Sequence, residues 1–281
     1  MILNEENYFS EAARKFYTGS SEIKSFMDCE AKTLAEINGE WKDEPSKALL
    51  VGSYVDAAVS ETLDIFKAQH PELYTQKGTL KAEFQQADYI VERINRDELF
   101  KKYISGDHQT IMTAAYNIYT NTWYTEKEAM SLTHDGNNII YVKIKIDSYF
   151  PHKAIVDLKC VKDFQPMWNE KTKEKENFID YWKYTLQGAL YQKVVEVNTG
   201  EKLPFFIAAV TKEAEPDIAV LSIDQETLDN QLNIIEQILP RVNALKTGVE
   251  KPCRCEKCNY CRFTKKLTHI IDYKFLGEEE L

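Results

Sequence analysis

The sequence predicts an α/β fold, in which a mixed central β-sheet is flanked by helices and preceded by a mostly helical N-terminal region. Apolar and polar residues alternate over residues 141–150, which is typical of a strand with one buried face. Over residues 178–197, apolar residues instead recur every three or four positions, as in a core-facing helix. Both patterns occur within one stretch of chain, so we expect strands and helices to share a core.

The remaining elements follow from the same two periodicities. Further strands are predicted at residues 153–160, 204–210 and 218–223, and a long helix at residues 225–245 with a kink at Pro240. Helical spacing in the first half covers residues 4–18, 47–65 and 83–103. We therefore divide the chain into a mostly helical region, residues 1–120, and an α/β core with a C-terminal helix, residues 121–281. Together they are expected to form one compact unit.

Composition restricts the class of protein. The chain has 281 residues, and 43% of them are hydrophobic, which is enough for a sizeable core. No apolar run approaches the roughly 18–20 residues needed to span a bilayer. The first residues also lack the basic start and apolar stretch of a signal peptide. We expect a cytoplasmic protein without a membrane partner.

The net charge of −10 taken alone argues against a nucleic-acid partner, because phosphate binding needs Lys and Arg. Net charge does not say where the charges lie, however. Residues 246–274 carry eight Lys and Arg residues against three acidic ones. A locally basic surface is therefore compatible with the acidic total.

Two aspartates and a lysine form the main candidate for chemistry. Asp147 ends one predicted strand, and Asp157 and Lys159 lie on the next, where residues two apart share a face. If these strands pair as a hairpin, Asp147 lies beside Asp157. Adjacent carboxylates repel each other unless a cation intervenes, and Mg²⁺ or Mn²⁺ accepts such oxygen ligands. An ordinary surface hairpin is the alternative, but Asp157 lies in an otherwise apolar strand, where burial without a partner is costly.

Four of the six cysteines lie within residues 253–261, near the C-terminus. Cys255, Cys258 and Cys261 are separated by two-residue gaps, which allow their thiolates to converge on one metal. In a cytoplasmic protein this density favours a metal over disulfides. Cys253 or a more distant cysteine is the fourth ligand, and reduced thiols without a metal remain the alternative.

Four short motifs carry a family resemblance. They are residues 52–56 (GSYVD), Glu128 followed by residues 143–147 (KIKID), residues 155–159 (IVDLK) and residues 187–191 (QGALY). In this order they resemble the PD-(D/E)xK nuclease superfamily, in its RecB-like branch, and above all phage recombination exonucleases of the RecE (exodeoxyribonuclease VIII-like) type. In that branch, a His usually occupies the position that is Asp56 in this sequence. The Pro-Asp pair of the superfamily name corresponds to Ile146-Asp147 here.

The resemblance implies a restriction-endonuclease-like core and a metal-dependent exonuclease for double-stranded DNA ends, acting in the 5′ to 3′ direction. Such an enzyme would pass one strand to a single-strand annealing protein in a bacterial host cell, and a homo-oligomer is expected. The implied roles are catalysis by Asp147, Asp157, Lys159, Glu128 and Gln187, Mg²⁺ ligation by Asp56, Glu128, Asp147 and Asp157, and substrate contact by Gly52 and Tyr191. Glu128 is preferred to Glu126 because it heads an apparent strand over residues 128–133.

The resemblance also extends to the cysteines. Residues 21–29 are similar to the start of RecB-like nucleases that carry an iron–sulfur staple. This implies one centre of Cys29, Cys255, Cys258 and Cys261, holding a [4Fe–4S] cluster or Zn²⁺, with Cys253 as a spare. Two other functions stay open: a four-cysteine nuclease of CRISPR-adaptation or helicase–nuclease type, and a non-catalytic DNA-binding module on the same fold.

Overall fold

The computed structural model describes residues 2–43, 46–132, 138–267, 270 and 272–275. The helices in this part of the chain are α1 (Glu11–Phe16), α2 (Ser20–Asp28), α3 (Glu30–Ile37), α4 (Lys47–Val59), α5 (Leu63–Gln69), α6 (Ala82–Asn95), α7 (Glu98–Tyr103), α8 (Glu126–Ser131), α9 (Phe178–Tyr181), α10 (Tyr184–Thr199), α11 (Gln225–Lys246) and α12 (Asn259–Phe263). The strands are β1 (Tyr17–Thr18), β2 (Thr110–Asn117), β3 (Thr122–Thr125), β4 (Ile139–Ile146), β5 (Ser148–Phe150), β6 (Ala154–Val161), β7 (Met167–Asn169), β8 (Glu174–Glu176), β9 (Phe205–Thr211) and β10 (Ile218–Ser222).

The main strands form two four-stranded sheets, in the orders β1-β4-β2-β3 and β10-β9-β6-β5, and β7 pairs with β8 in a separate two-stranded sheet. Each four-stranded sheet is mixed, because β1 with β4 and β6 with β9 run parallel while their other pairs are antiparallel. Helices flank the sheets, so the predicted α/β class is confirmed.

The predicted strand over residues 141–150 is divided between the two sheets. Residues before Asp147 pair with β2, whereas residues after it pair with β6. The expected single central sheet is therefore two sheets that meet where the chain passes Asp147.

The first 120 residues contribute strands as well as helices to the fold. Within this stretch, β1 pairs with β4 at Tyr141 and Val142, and β2 pairs with β4 along its whole length. The prediction of a mostly helical region missed both strands. The sheet that leads to Asp147 is therefore built partly from the N-terminal half of the chain.

The second sheet is covered on both faces by apolar side chains. On one face, α10 and α11 pack together, and Leu186 and Leu190 of α10 join Phe205 and Ile207 of β9 in a buried cluster. Gly188 allows this close approach, because a Cβ there would lie 2.6 Å from the Phe205 ring. On the other face, α4 and α6 pack against β6 and β9. Each fully buried Leu, Ile or Phe contributes about 1.5–3 kcal/mol, so these layers fix the positions of α4, β6 and α10.

In the part of the chain that is described, no helix is both long and apolar enough to cross a membrane.

Candidate active site

Asp147 and Asp157 face each other across the β5–β6 pair. Ser148 is opposite Val156 in this antiparallel register, so the next step places Asp147 opposite Asp157. The backbone N–H of Leu158 donates to Asp147 Oδ2 at 2.9 Å, which ties the carboxylate to β6. The hairpin relation that the sequence predicts for these two residues is present, although β4 itself belongs to the other sheet.

The Asp157 carboxylate is buried between a glutamine and a lysine. The residue is 1% exposed, and its Oδ1 accepts a 2.6 Å hydrogen bond from Gln187 Nε2. Its Oδ2 is in contact with the Lys159 ammonium and has no other hydrogen-bond partner among the residues that the structure describes. A buried carboxylate oxygen whose one partner is a lysine side chain keeps a lone pair that can bind a hard cation.

Asp56 supplies a third carboxylate from α4. Burial, and then the charge of Asp157, raise its pKa, and Gln109 Nε2 donates to its Oδ2 at 3.4 Å. Burial and the charges of Asp157 and Asp56 also raise the pKa of Asp147 well above its ordinary range. The charge of Asp157 thus opposes the ionisation of both Asp56 and Asp147, which a bound divalent cation would relieve. Carboxylate oxygens are the donors that Mg²⁺ or Mn²⁺ prefers, although among the described residues these three do not all lie within 4.8 Å of one another.

Lys159 remains a cation in this setting. Burial opposes its charge, but the carboxylates of Asp157 and Asp147 outweigh that effect and raise its pKa. Its ammonium lies 5.1 Å from the centre of the Tyr184 ring, and the ammonium of Lys24 lies 5.2 Å from the same ring. Burial and the nearby Lys159 charge lower the pKa of Lys24 to about 8. The sequence did not predict a role for Lys24 or Tyr184. Lys24 does belong to residues 21–29, the segment that resembles the start of RecB-like nucleases.

The three carboxylates, Lys159 and Tyr184 line a cleft of about 1300 Å³. Its walls are the start of α2, the face of α4 with Gly52 and Asp56, the β4 side chains Lys143 and Lys145, the end of β6, and α10. Gly52 leaves the wall open, since a Cβ at this position would meet no atom within 4 Å. Trp168 and Trp182 line the same cleft and are each about half exposed.

Glu128 does not take part in this cleft. The strand predicted at residues 128–133 is wrong over its described part, where α8 covers Glu126–Ser131; Thr133 lies outside the described residues. Glu128 accepts hydrogen bonds from the backbone and side chain of Thr125, forming a capping box at the start of α8. Glu126, the alternative carboxylate, accepts from the hydroxyls of Tyr17 and Thr113. Both glutamate side chains therefore accept hydrogen bonds from residues that do not line the cleft.

Gln187 and Tyr191 lie one turn apart on α10, as the sequence predicts. Gln187 holds Asp157 and is 8% exposed. Tyr191 is 7% exposed, and its hydroxyl donates to the Lys145 carbonyl at 2.9 Å. The Tyr191 hydroxyl therefore fixes β4 relative to α10 instead of pointing freely into the cleft.

The structure gathers Cys29, Cys255, Cys258 and Cys261 away from the carboxylates. The Sγ atoms of all four lie within 4.8 Å of one another. Among the described residues, no other group of three or more His, Cys, Asp or Glu side chains is gathered so closely. Cys253 is exposed and separate, with its sulfur 3.7 Å from an Arg241 nitrogen.

Comparison with known protein families identifies the family of this chain. A family model described as a PDDEXK-like domain of unknown function (DUF3799) matches residues 19–264. The chain belongs to this PDDEXK-like family. The match spans both the carboxylate cleft and the four gathered cysteines, and it confirms the resemblance to the PD-(D/E)xK superfamily.

Two solved structures are similar to this chain. The crystal structure of a "putative exonuclease" from Eubacterium rectale shares 41% identity over 99% of each chain, with a TM-score of 0.86. Another is 12% identical over 79% of this chain and 87% of its own, with a TM-score of 0.28, which is too low to indicate a shared fold. No curated protein matches the chain. The first match supports the restriction-endonuclease-like α/β core.

Proposed function

We propose that this protein is a metal-dependent deoxyribonuclease that degrades double-stranded DNA from its ends. The observation that carries the proposal is the Asp157 carboxylate, which is buried opposite Asp147 and whose Oδ2 has no hydrogen-bond partner among the described residues other than the Lys159 ammonium. A structural ion pair alone would not require the second, opposing carboxylate of Asp147. Family membership and the cleft around these residues support the same conclusion.

Asp147 and Asp157, with Asp56, would hold Mg²⁺ or Mn²⁺. When bound, the ion supplies an activated water and neutralises charge on the phosphate. Lys159 keeps its proton at neutral pH because its pKa is raised, so it is suited to donating hydrogen bonds to the attacking water or to phosphate oxygens and not to removing a proton. Gln187 acts as a positioning residue, because its amide fixes the Asp157 carboxylate.

Exonuclease activity, the direction of cleavage and the biological role are proposed on two further grounds. Exonuclease activity is supported by the "putative exonuclease" relative, which this chain matches over nearly its full length. The 5′ to 3′ direction, the role in phage-type recombination, the transfer of a strand to a single-strand annealing protein and the homo-oligomer rest on the resemblance to RecE-type enzymes.

A four-cysteine nuclease of CRISPR-adaptation or helicase–nuclease type is the second candidate, and the gathering of Cys29 with the C-terminal cysteines favours it. That candidate would use the same carboxylates but act as part of a larger complex. Purified protein that degrades linear duplex DNA without any partner would favour the stand-alone exonuclease. A non-catalytic binding module would have no need of the Asp147, Asp157 and Lys159 set.

The test is incubation of purified protein and Mg²⁺ with linear duplexes labelled at the 5′ or 3′ end, beside a covalently closed circle. We expect degradation of the linear DNA only, with the 5′ label released first as a short product. Equal cutting of the circle would contradict an exonuclease, and early release of the 3′ label would contradict the direction. Intact DNA of every form, with Mg²⁺ and with Mn²⁺, would contradict the nuclease itself.

A further inference from the structure

We propose that Cys29, Cys255, Cys258 and Cys261 bind a single tetrahedral Zn²⁺ ion in a structural site separate from the cleft. The Sγ atoms are 3.6 Å apart for Cys29 and Cys261, 3.8 Å for Cys258 and Cys29, and 3.9 Å for Cys255 and Cys261. Zinc–sulfur bonds of about 2.3 Å in a tetrahedron give edges of about 3.8 Å. Three of the six sulfur–sulfur distances therefore match those around one zinc ion, and the other three are no longer than 4.8 Å.

This geometry disagrees with the iron–sulfur cluster that the family resemblance implies. A [4Fe–4S] cluster places a cube of iron and sulfide between the four cysteine sulfurs, so they must stand further apart than around one ion. Here every pair of sulfurs lies within 4.8 Å. Four thiolates without oxygen ligands also select zinc over Mg²⁺ or Mn²⁺. The cysteine site and the carboxylate site thus call for different metals.

The local backbone supports the thiolates. The N–H of Cys258 donates to Cys255 Sγ at 3.3 Å, and the N–H of Cys261 donates to Cys258 Sγ at 3.4 Å. Hydrogen bonds to ligating atoms orient them and offset their negative charge. Cys29 reaches the same point from the junction of α2 and α3, and is buried there with Cys261.

Cys253 is excluded from the ligand set by its own contacts. Its N–H donates to Glu30 Oε2 and its carbonyl accepts from the N–H of Ala31. Glu30 in turn forms two hydrogen bonds with Arg241. These bonds hold the Cys253 backbone beside α3 while its sulfur faces Arg241. Cys253 is thus a matched control for the four ligands, close in sequence but outside the metal site.

A zinc ion at this point would brace one wall of the cleft. It would join the end of α2 to residues 255–261, and the start of α2 lines the cleft. Asp28, next to Cys29, is paired with Lys171 and Lys183. Because ligands so far apart in sequence converge only in the folded chain, zinc binding would contribute directly to folding stability. This inference does not depend on the nuclease proposal.

The test is the metal content of full-length protein purified without oxygen from iron-supplemented cells. Under these conditions an iron–sulfur cluster would not be destroyed by oxygen, and iron would not limit its assembly. We expect one zinc per chain, no sulfide and a colourless protein. Replacement by Co²⁺ should give the strong visible bands of a tetrahedral thiolate site. Cys29→Ser and Cys258→Ser should lose the zinc and lower the melting temperature, while Cys253→Ser and Cys160→Ser should keep one zinc.

Iron and sulfide with broad visible absorption would overturn the proposal, as would wild-type protein free of both metals. Loss of zinc from Cys253→Ser, with zinc retained by Cys29→Ser, would overturn the ligand set. If the ligand variants do not fold, the metal content and Co²⁺ spectrum of wild-type protein still decide between one ion and a cluster.

Discussion

At the scale of single residues, Asp147 has a direct electrostatic consequence for stability. Its pKa is raised by burial and by the charges of Asp157 and Asp56. A raised carboxyl pKa costs folding stability once the pH exceeds the unfolded value of about 4, and the cost grows until the pH passes the folded pKa. The metal-free protein should therefore be weakened at this site at neutral and alkaline pH.

Asp147→Asn should raise the melting temperature of the metal-free protein, more at pH 8 than at pH 5. Asparagine keeps an oxygen for the Leu158 N–H but removes the charge. Mg²⁺ should raise the melting temperature of wild-type protein and not of the variant, because the ion stabilises only the state that binds it. Thermal melts at both pH values, with Asp64→Asn as an exposed control on α5, measure this. An equal gain at both pH values would contradict the electrostatic explanation.

Gln187→Ala should lower turnover and raise the Mg²⁺ concentration needed for half-maximal activity. The substitution frees the Asp157 carboxylate, and losing a hydrogen bond that orients a metal ligand typically costs about 10- to 100-fold in affinity or activity. Mg²⁺ titrations of cleavage measure it, with Tyr191→Phe as a control that removes a hydrogen bond to β4 from the same helix. An unchanged Mg²⁺ requirement would mean that Gln187 does not position a ligand.

At the scale of elements, the strongest periodic segments were predicted correctly. The alternation over residues 141–150 and the helical spacing of residues 178–197 correspond to β4 with β5 and to α9 with α10. The β2 strand was missed because its sequence, TIMTAAYN, has no regular alternation and is fixed by pairing with β4. Likewise the break at Asp147 depends on partners in two sheets, which no local pattern reveals.

The helix at Glu128, which was wrongly predicted as a strand, could have been predicted from the sequence. Thr125 followed three residues later by a glutamate is a capping-box sequence, which predicts the start of a helix. The prediction instead placed Glu128 at the head of an apparent strand over residues 128–133. Asp147 and Asp157 were found from the strand pattern and Asp56 from motif order, whereas Lys24 and Tyr184 needed the three-dimensional packing.

Glu128→Ala should lower stability without lowering turnover per folded molecule. The change removes the glutamate half of the capping box at the start of α8, and this helix contacts β2 and β3 and not the carboxylate cleft. Thermal melts beside rates of DNA cleavage measure both effects, with the neighbouring exposed position changed in Lys127→Ala as control. If a stable Glu128→Ala protein no longer cleaved DNA, Glu128 would be a catalytic residue after all.

Gly52→Ala tests whether the α4 face of the cleft receives DNA. Alanine has room here and should stabilise α4 by roughly 0.5–1 kcal/mol, since glycine is a poor helix former. The added methyl group projects into open space on the cleft wall, so the KM for DNA should rise, and rise further in Gly52→Leu. A KM that stays unchanged in both variants, with the expected gain in stability, would place the DNA elsewhere.

At the scale of the whole molecule, an acidic chain can still place several lysines along one cleft. The net charge is −10, yet Lys143, Lys145 and Lys159 line the cleft beside the carboxylates. The β4, β6 and α10 elements carry the proposed chemistry, while the cysteine group ties α2 to the C-terminal segment at a distance from it. The two sites use different residues, so substitutions can be directed at each of them separately.

The central claim is that Asp157 is a metal-ligating catalytic residue, and Mg²⁺-dependent cleavage of linear duplex DNA by Asp157→Asn tests it most directly. The variant keeps an oxygen for Gln187 but loses the charge that binds the cation and pairs with Lys159. We expect cleavage by wild-type protein and by Asp64→Asn, and no detectable cleavage by a folded Asp157→Asn at any Mg²⁺ concentration. Wild-type rates in Asp157→Asn at saturating Mg²⁺ would contradict the account.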